Sequence, residues 1–364
     1  MKLTIGKKPI SLVAIDIGSA ITKIAEVEYI AEEPKLKSVA IFDTPPNAVA
    51  GSGITNPDAL GQIIRKHLDN NSISAEGGVF SIPGSSVFIK RISIPTKDLA
   101  EFQSNFQLEA GTHIPQDIST LDIDYQILKS KPNGNSEILL VAARREIVES
   151  YRKTIESAGL IPLVADIDYF ALENMFELDY ASDTPRMIAL VDIGAKFSSF
   201  DIIYNNISIY NGDLPVGTAS LVDSIARALD ADNELAQKIL TEKEVPATAD
   251  KSKIDEVKKQ AVEELADAVQ RQIVNLWSAS GSERTIDEIY LTGGASQIDG
   301  LIGLLSEKTD TNVKVIEPFK FFEGSTEIDP GYLKDISPVF GVVIGLALRR
   351  LGDKKRYSPY HKKS

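Results

Sequence analysis

The chain has 364 residues, 43% of them hydrophobic and 25% charged, and a formal net charge of −13. That length allows more than one domain with a substantial core, and the acidic balance argues against broad nucleic-acid binding. With no cysteine in the sequence, disulfides and thiolate metal sites are excluded.

His67, His113 and His361 stand far apart and suggest no histidine-based metal site. The basic residues 1–9 are not followed by an apolar run of signal-peptide type. Val339 to Leu348 is the longest apolar candidate, about half the length a spanning helix needs. A soluble, cytoplasmic protein is the expectation.

In chain order, Leu12 to Ala25 reads as two β-type runs joined by Asp16-Ile17-Gly18-Ser19, the pattern of a hairpin with a small-residue turn. Lys35 to Phe42 is a third strand, Asn56-Pro57 opens a helix to about Leu68, and Gly78 to Pro83 returns to the sheet. A detour follows from about 85 to 165. Val87 to Ile94 is strand-like, Lys97 to Gly111 helical, Leu121 to Leu128 and Glu137 to Ala143 strand-like, and Arg145 to Ala158 an amphipathic helix. Its order, βαββα, is that of a small self-sufficient subdomain. Val164 to Asp168 then leads into a helix over Tyr169 to Phe176, where Asp168 stands at the position of an N-cap.

Ile188 to Asp201 repeats the first hairpin, again with Asp-Ile-Gly (Asp192, Ile193, Gly194) before the turn. Helices are expected over Ala219 to Leu229, Asn233 to Leu240 and, after an acidic linker through Asp250, a long stretch with Val262, Leu265, Val269, Ile273 and Leu276 on one face. Ile286 to Thr292 is a buried strand ending in Gly293-Gly294 and followed by a short helix. Val313 to Pro318 is the last strand and Ser337 to Arg349 a closing helix. From Arg349 onward the chain has seven Lys or Arg and one acid, Asp353. Such a tail is either a solvated extension or a patch for an anionic membrane surface.

The repeated turn suits a phosphate. Gly18 and Gly194 allow positive φ and close backbone approach, so that successive amides make a nest for an anion. Asp16 and Asp192 repel phosphate but can hold Mg²⁺ through water. Lys23 and Lys196 are either phosphate contacts or solvated lysines at a strand edge. Two such hairpins and a strand ending in a Gly pair, in this order, resemble the phosphate and adenosine motifs of the actin-like ATPases.

The detour narrows the resemblance. Leu108 to Pro115, the Leu121-Asp122-Ile123-Asp124-Tyr125 run and Leu140 to Glu146 resemble the type IV pilus assembly protein PilM family, related to the division protein FtsA, over about Leu12 to Leu351. The resemblance implies an α/β actin-like ATPase fold of two related halves around a nucleotide cleft. Residues 1–184 would form the first half, with the βαββα subdomain inserted at about 85–165. Residues 185–334 would form the second half, with a small subdomain at about 218–284. A closing helix over 335–352 would return to the first half, leaving 353–364 as the basic tail.

It further implies ATP and Mg as ligands. Gly18, Ser19, Thr22, Lys23, Gly194, Lys196, Ser198 and Gly217 would lie on the phosphates, Gln237, Gly293 and Gly294 on the adenosine, and Asp16 and Asp192 on the metal. Asp168, with Asp166 behind it, would position an attacking water; a slow ATPase at most is expected. The implied partners are the N-terminal peptide of an inner-membrane PilN-like protein and pilus motor or platform proteins, with peripheral membrane association through them and self-association left open. An FtsA-like division protein or a small-molecule kinase of the same fold is the alternative.

Overall fold

The computed structural model describes residues 11–241, 251–279, 281 and 284–352. The basic N-terminal residues 1–9, the linker residues 242–250 and the tail 353–364 lie outside the described residues.

Two five-stranded sheets share one plan. The first is built from β1 (Leu12–Ile17), β2 (Ile21–Ile30), β3 (Glu33–Asp43), then, past the short β4 (Val49–Ala50), β5 (Gly53–Ile54) and helix α1 (Pro57–Asn70), from β6 (Gly77–Ile82). The chain leaves this sheet through β7 (Val87–Pro95), α2 (Leu99–Ser104), α3 (Phe106–Gly111), β8 (Leu121–Ser130), β9 (Asn135–Arg144) and α4 (Arg145–Ser157). It returns with β10 (Ile161–Ile167), and α5 (Asp168–Tyr180) leads to the second half.

There β11 (Met187–Ile193), β12 (Ser198–Tyr204) and β13 (Ile207–Leu214) are followed by α6 (Thr218–Leu229), α7 (Asn233–Thr241) and α8 (Lys251–Ala279). Next come β14 (Glu288–Thr292), α9 (Leu301–Thr309), β15 (Asn312–Val315), α10 (Pro330–Ile336) and α11 (Gly341–Ala347). The sheet orders are β10-β6-β1-β2-β3 and β15-β14-β11-β12-β13. In each, an antiparallel meander supplies three strands and two parallel strands extend the other side.

Alternation along the central strands places their residues in different cores, because successive side chains in a strand point to opposite faces. On β11, Met187, Ala189, Val191 and Ile193 enter the core of the second half, against α6, α8 and α9. Ile188 and Leu190 enter a middle core that also takes Ala14, Ala25 and Val79 from the first sheet. That shared core is filled by α5 and α11. A Cβ at Gly345 of α11 would stand 1.6 Å from the Ala171 carbonyl oxygen of α5, so the two helices touch backbone to backbone. Val13, Ile15 and Ile24 face a third core with α1 and α4.

Several expectations are corrected. The run 85–165 does not pack as one unit: α4 buries Ile147, Tyr151 and Ile155 on the first-half sheet beside α1, and β10 joins that sheet next to β6. The separate layer is the three-stranded sheet β7-β9-β8 with α2 and α3. The helix expected over Lys97 to Gly111 breaks at Asn105. There Phe102 and Phe106 turn onto Tyr125, with ring centroids 5.4 and 4.5 Å from it. Strand β13 and helix α10 had no counterpart in the pattern reading, and the last strand ends at Val315 rather than Pro318.

Candidate functional site

The two Asp-Ile-Gly turns are built alike. Asp16 and Lys23 are cross-strand partners in the β1–β2 register, and Lys23 Nζ lies 2.7 Å from Asp16 Oδ2, with both side chains 12% exposed. The Gly18 amide donates to the Ile21 carbonyl at 3.1 Å, and the Gly194 amide to that of Phe197 at 3.1 Å. Neither glycine has positive φ, which corrects the expectation. What reserves these positions is the tight turn itself. A Cβ at Gly18 would sit 2.7 Å from the Ile21 carbonyl oxygen, and one at Gly194 3.0 Å from that of Phe197. Their amides are consumed by the turns, so a nest for an anion would have to come from the residues that follow. Ser19 and Ala195 are half-buried and Lys196 is exposed.

Two expected phosphate contacts are internal instead. Thr22 is fully buried, its hydroxyl 2.8 Å from that of Thr44, and Ser198 is fully buried, donating to the Val216 carbonyl at 2.7 Å. Thr22 is the second residue of β2 and Ser198 the first of β12, each at a buried position of its strand. Gly217 holds α6 against the second turn: Thr218 and Ala219 amides donate to the Gly194 and Ala195 carbonyls at 3.0 and 2.8 Å. A Cβ at Gly217 would lie 2.5 Å from either oxygen, so the turn itself requires glycine there.

The carboxylates of the two halves face one another. Burial pushes Asp192 up to about 6, opposed by the field of Lys23 and reinforced by that of Asp16. Asp168 begins α5 and accepts amide hydrogens from Gly84 (3.0 Å) and Tyr169 (2.8 Å), which ties the helix start to the first-half sheet. Burial raises it well above the usual carboxylate range, with Asp213 and Asp192 adding to the rise. Asp213, at the end of β13, is also raised by burial and accepts a hydrogen bond from the Tyr169 hydroxyl. Four carboxylates therefore lie in one chain of mutual influence, Asp16 and Asp192 at Lys23 and Asp168 between Asp192 and Asp213. Such a set favours a cation, and it fits a magnesium ion held through water. Among the described residues no group of three or more carboxylate or imidazole side chains is arranged to ligate a metal directly.

Asp166 does not join this set. It is buried and held by Arg349 Nε at 2.6 Å, an ion pair that fixes the end of α11 to β10. Gly293 has φ +88, donates to the Pro338 carbonyl at 2.8 Å, and leaves no room for a side chain: a Cβ would stand 2.3 Å from Asp192 Oδ1. Beside Gly294 there is open space. Of the Gly pair, the first is therefore packing and the second leaves bare backbone beside open space. Gln237 is exposed on α7, while Leu240 on the same helix is buried in the second-half core. Cavities of about 320 Å³ lie between α6 and α8, lined by Ser224, Arg227 and Glu264, and one of them reaches Val216 and Ser220 on either side of Gly217.

Sequence reasoning missed Asp213, Tyr169 and Gly84. The Tyr169 ring lies where a Cβ on Gly84 would be, 2.1 Å from its nearest atom, so Gly84 admits the ring that reaches Asp213. Only Tyr169 carried a signal in the sequence, as the residue after the helix-opening Asp168.

The model of the type IV pilus assembly protein PilM family matches residues 14–351. Among solved structures, the chain is similar to one from a PilM–PilN type IV pilus biogenesis complex. The TM-score is 0.81 and the identity 24%, over 94% of this chain and 99% of that one. It is more distantly similar to the ethanolamine utilization protein EutJ from Carboxydothermus hydrogenoformans, at TM-score 0.56 and 16% identity over 94% and 90% of the two chains. Similarity to MreB 5 of Spiroplasma citri bound to AMPPNP has TM-score 0.55 and 9% identity over 96% and 98%. The doubled sheet with its paired turns is thus an actin-like ATPase fold, and the chain belongs to the PilM family of type IV pilus assembly proteins.

Proposed function

We propose that this protein is an ATP-binding adaptor of type IV pilus assembly. It would work on the cytoplasmic face of the inner membrane, docking the N-terminal peptide of a PilN-like membrane protein and linking it to the pilus motor or platform. The observation that carries the nucleotide half of this reading is the opposition of Asp16 and Asp192 from matching turns, with Lys23 between them. The partner half is supported by family membership and by the similarity to a PilM–PilN complex.

When bound, Mg²⁺ would neutralise phosphate charge. In this chain Asp16 and Asp192 would hold its water shell. Ser19, Lys196 and the free amides after each turn would meet the phosphates, and Gly294 and Gln237 the adenosine. Asp168 would accept a proton from, and orient, a water. Its raised affinity for protons and its two amide partners suit slow hydrolysis at most. Ligand contacts from both halves would bias their closure about α5 and α11, a population shift between two arrangements.

The nucleotide reading is tested by titration calorimetry. Asp16→Ala is expected to weaken Mg-ATP binding at least about tenfold, a factor worth ~1.4 kcal/mol; unchanged affinity removes Asp16 from the site. The adaptor reading is tested by capture of synthetic N-terminal peptides of membrane partners with and without Mg-ATP. Filament formation on anionic vesicles would favour an FtsA-like role instead, and phosphorylation of a small molecule a kinase.

A further inference from the structure

A second cluster of buried acids lies outside the paired turns, and the nucleotide reading leaves it unused. Helix α5 presents Tyr169, Glu173 and Glu177 at successive four-residue steps, hence along one face. Tyr169 bonds to Asp213 at the end of β13. One turn further on, Glu173 meets the start of the same strand, where the Ser208 amide donates to Glu173 Oε1 at 3.1 Å and the Ser208 hydroxyl to Asp201 Oδ1 at 2.5 Å. Two carboxylates thus converge on one serine.

Asp201 is only 2% exposed, and its second oxygen, Oδ2, is buried with no hydrogen-bond partner. A buried carboxylate oxygen in that condition is costly, and the group is driven to take up a proton or a cation. No cation touches the pair among the described residues. Arg91 of β7 is the one whose field reaches both Glu173 and Asp201, and it is exposed and makes no ion pair among the described residues.

The topology explains the meeting. Both β7 and β13 are edge strands, of the inserted sheet and of the second-half sheet respectively. They meet at a corner where the Gly84–Ser86 turn packs on β13. From that corner β7 leads to Arg91 and β13 leads back to Ser208, with Tyr169 and Glu173 of α5 along β13, and the space between the two edges is a groove that their separation sets. A hinge at the corner changes the separation most at the Arg91–Ser208 end.

We propose that Glu173 and Asp201 form a proton-controlled latch that draws Arg91 of the inserted sheet onto the second half and narrows the groove between β7 and β13. Burial pushes Asp201 up to about 7, so this carboxyl changes charge near neutrality, and burial raises Glu173 as well. Below that range Asp201 is protonated and its pull is lost; above it Asp201 is anionic and attracts the guanidinium. The other groups facing the cluster are Glu177, raised by burial and held in check by Arg349, and Tyr169 and Asp213, engaged with each other. None supplies a competing cation to the pair, because the field of Arg349 falls on Glu177.

The absence of cysteine makes the test clean. Spin labels at two exposed positions, Lys97→Cys in the turn that follows β7 and Ile207→Cys at the start of β13, report the groove width by electron–electron double resonance in the full-length protein. The expected result is a shorter, narrower distance distribution at about pH 8.5 than at about pH 5.5, with that difference lost in Arg91→Gln and in Asp201→Asn. A distance that does not change with pH, or a change that survives Arg91→Gln, overturns the latch. Should Asp201→Asn fail to fold, Arg91→Gln decides alone, since an exposed strand residue is removed without opening the core.

Discussion

Replacing Gly345 by alanine tests the packing that joins the two halves. The new methyl carbon would begin 1.6 Å from the Ala171 carbonyl oxygen and 2.4 Å from its carbon, both backbone atoms. Reaching ordinary contact at 3.4 Å requires α11 and α5 to separate by about 1.8 Å. Neither helix can yield locally, because Val343, Ile344 and Leu346 on one and Ala171, Leu172 and Phe176 on the other are all buried in the shared core. Overpacking of this kind costs ~1–3 kcal/mol and more when backbone is the obstacle, whereas alanine recovers at most ~1 kcal/mol of helix propensity.

A net loss of at least ~2 kcal/mol is expected for Gly345→Ala. Urea unfolding followed by Trp277 fluorescence and far-ultraviolet circular dichroism measures it. Gly303 is the control: it lies within α9 with nothing within 4 Å of its added Cβ, so Gly303→Ala should gain ~0.5–1 kcal/mol. If Gly345→Ala were as stable as the wild type, or if both substitutions moved together, the close approach of α5 and α11 would not be what holds the halves.

Other outcomes follow from the same physical terms. Arg349→Ala strands the buried Asp166 and is expected to cost ~2–4 kcal/mol, somewhat less than a fully buried pair because Arg349 is 20% exposed. Arg65→Ala, which breaks the exposed pair with Asp69, should leave stability unchanged by the same denaturation assay. Asp192, held near 6 instead of the usual 3.8, binds its proton more tightly in the folded state; stability without nucleotide therefore falls as pH rises from about 4 to about 6 and is flat above. Asp192→Asn should match the wild type below that window and exceed it above, and equal melting-temperature profiles would refute the assignment. Tyr169→Phe removes the hydroxyl that bonds Asp213 across the halves and should lower stability by ~1–3 kcal/mol, with the loss absent in an Asp213→Ala background if the bond is the cause.

The hairpins were legible because their information is local. Asp-Ile-Gly between β-type runs defines strand, turn and strand within about fourteen residues, and the Asp16–Lys23 and Asp192–Ser199 registers follow from the turn length. Asn56-Pro57 announced α1 by a cap that the structure bears out, with Asn56 Oδ1 accepting from the Ala59 amide at 3.1 Å. Less legible were features whose cause lies elsewhere in the chain. Thr22 and Ser198 looked like phosphate ligands because they are small, polar and near the turn. Their hydroxyls are spent on Thr44 and Val216, partners about twenty residues away that no pattern at the turn reveals.

By itself the sequence determined that the chain is a doubled unit with two acidic turns and a Gly-Gly strand end, since hydrophobic period, turn chemistry and residue order suffice for that. Only the tertiary structure decided which polar groups are left for chemistry. Asp166 and Asp168 are two residues apart, yet the end of α11 takes the first through Arg349 and leaves the second against Asp213 and Asp192. Likewise α4 read as part of an inserted lobe, but Ile147, Tyr151 and Ile155 are buried with residues of α1 and β6 instead of among β7, β8 and β9. Local propensity chooses the element; the surface it can cover, and the charge it then meets, are settled by residues far along the chain.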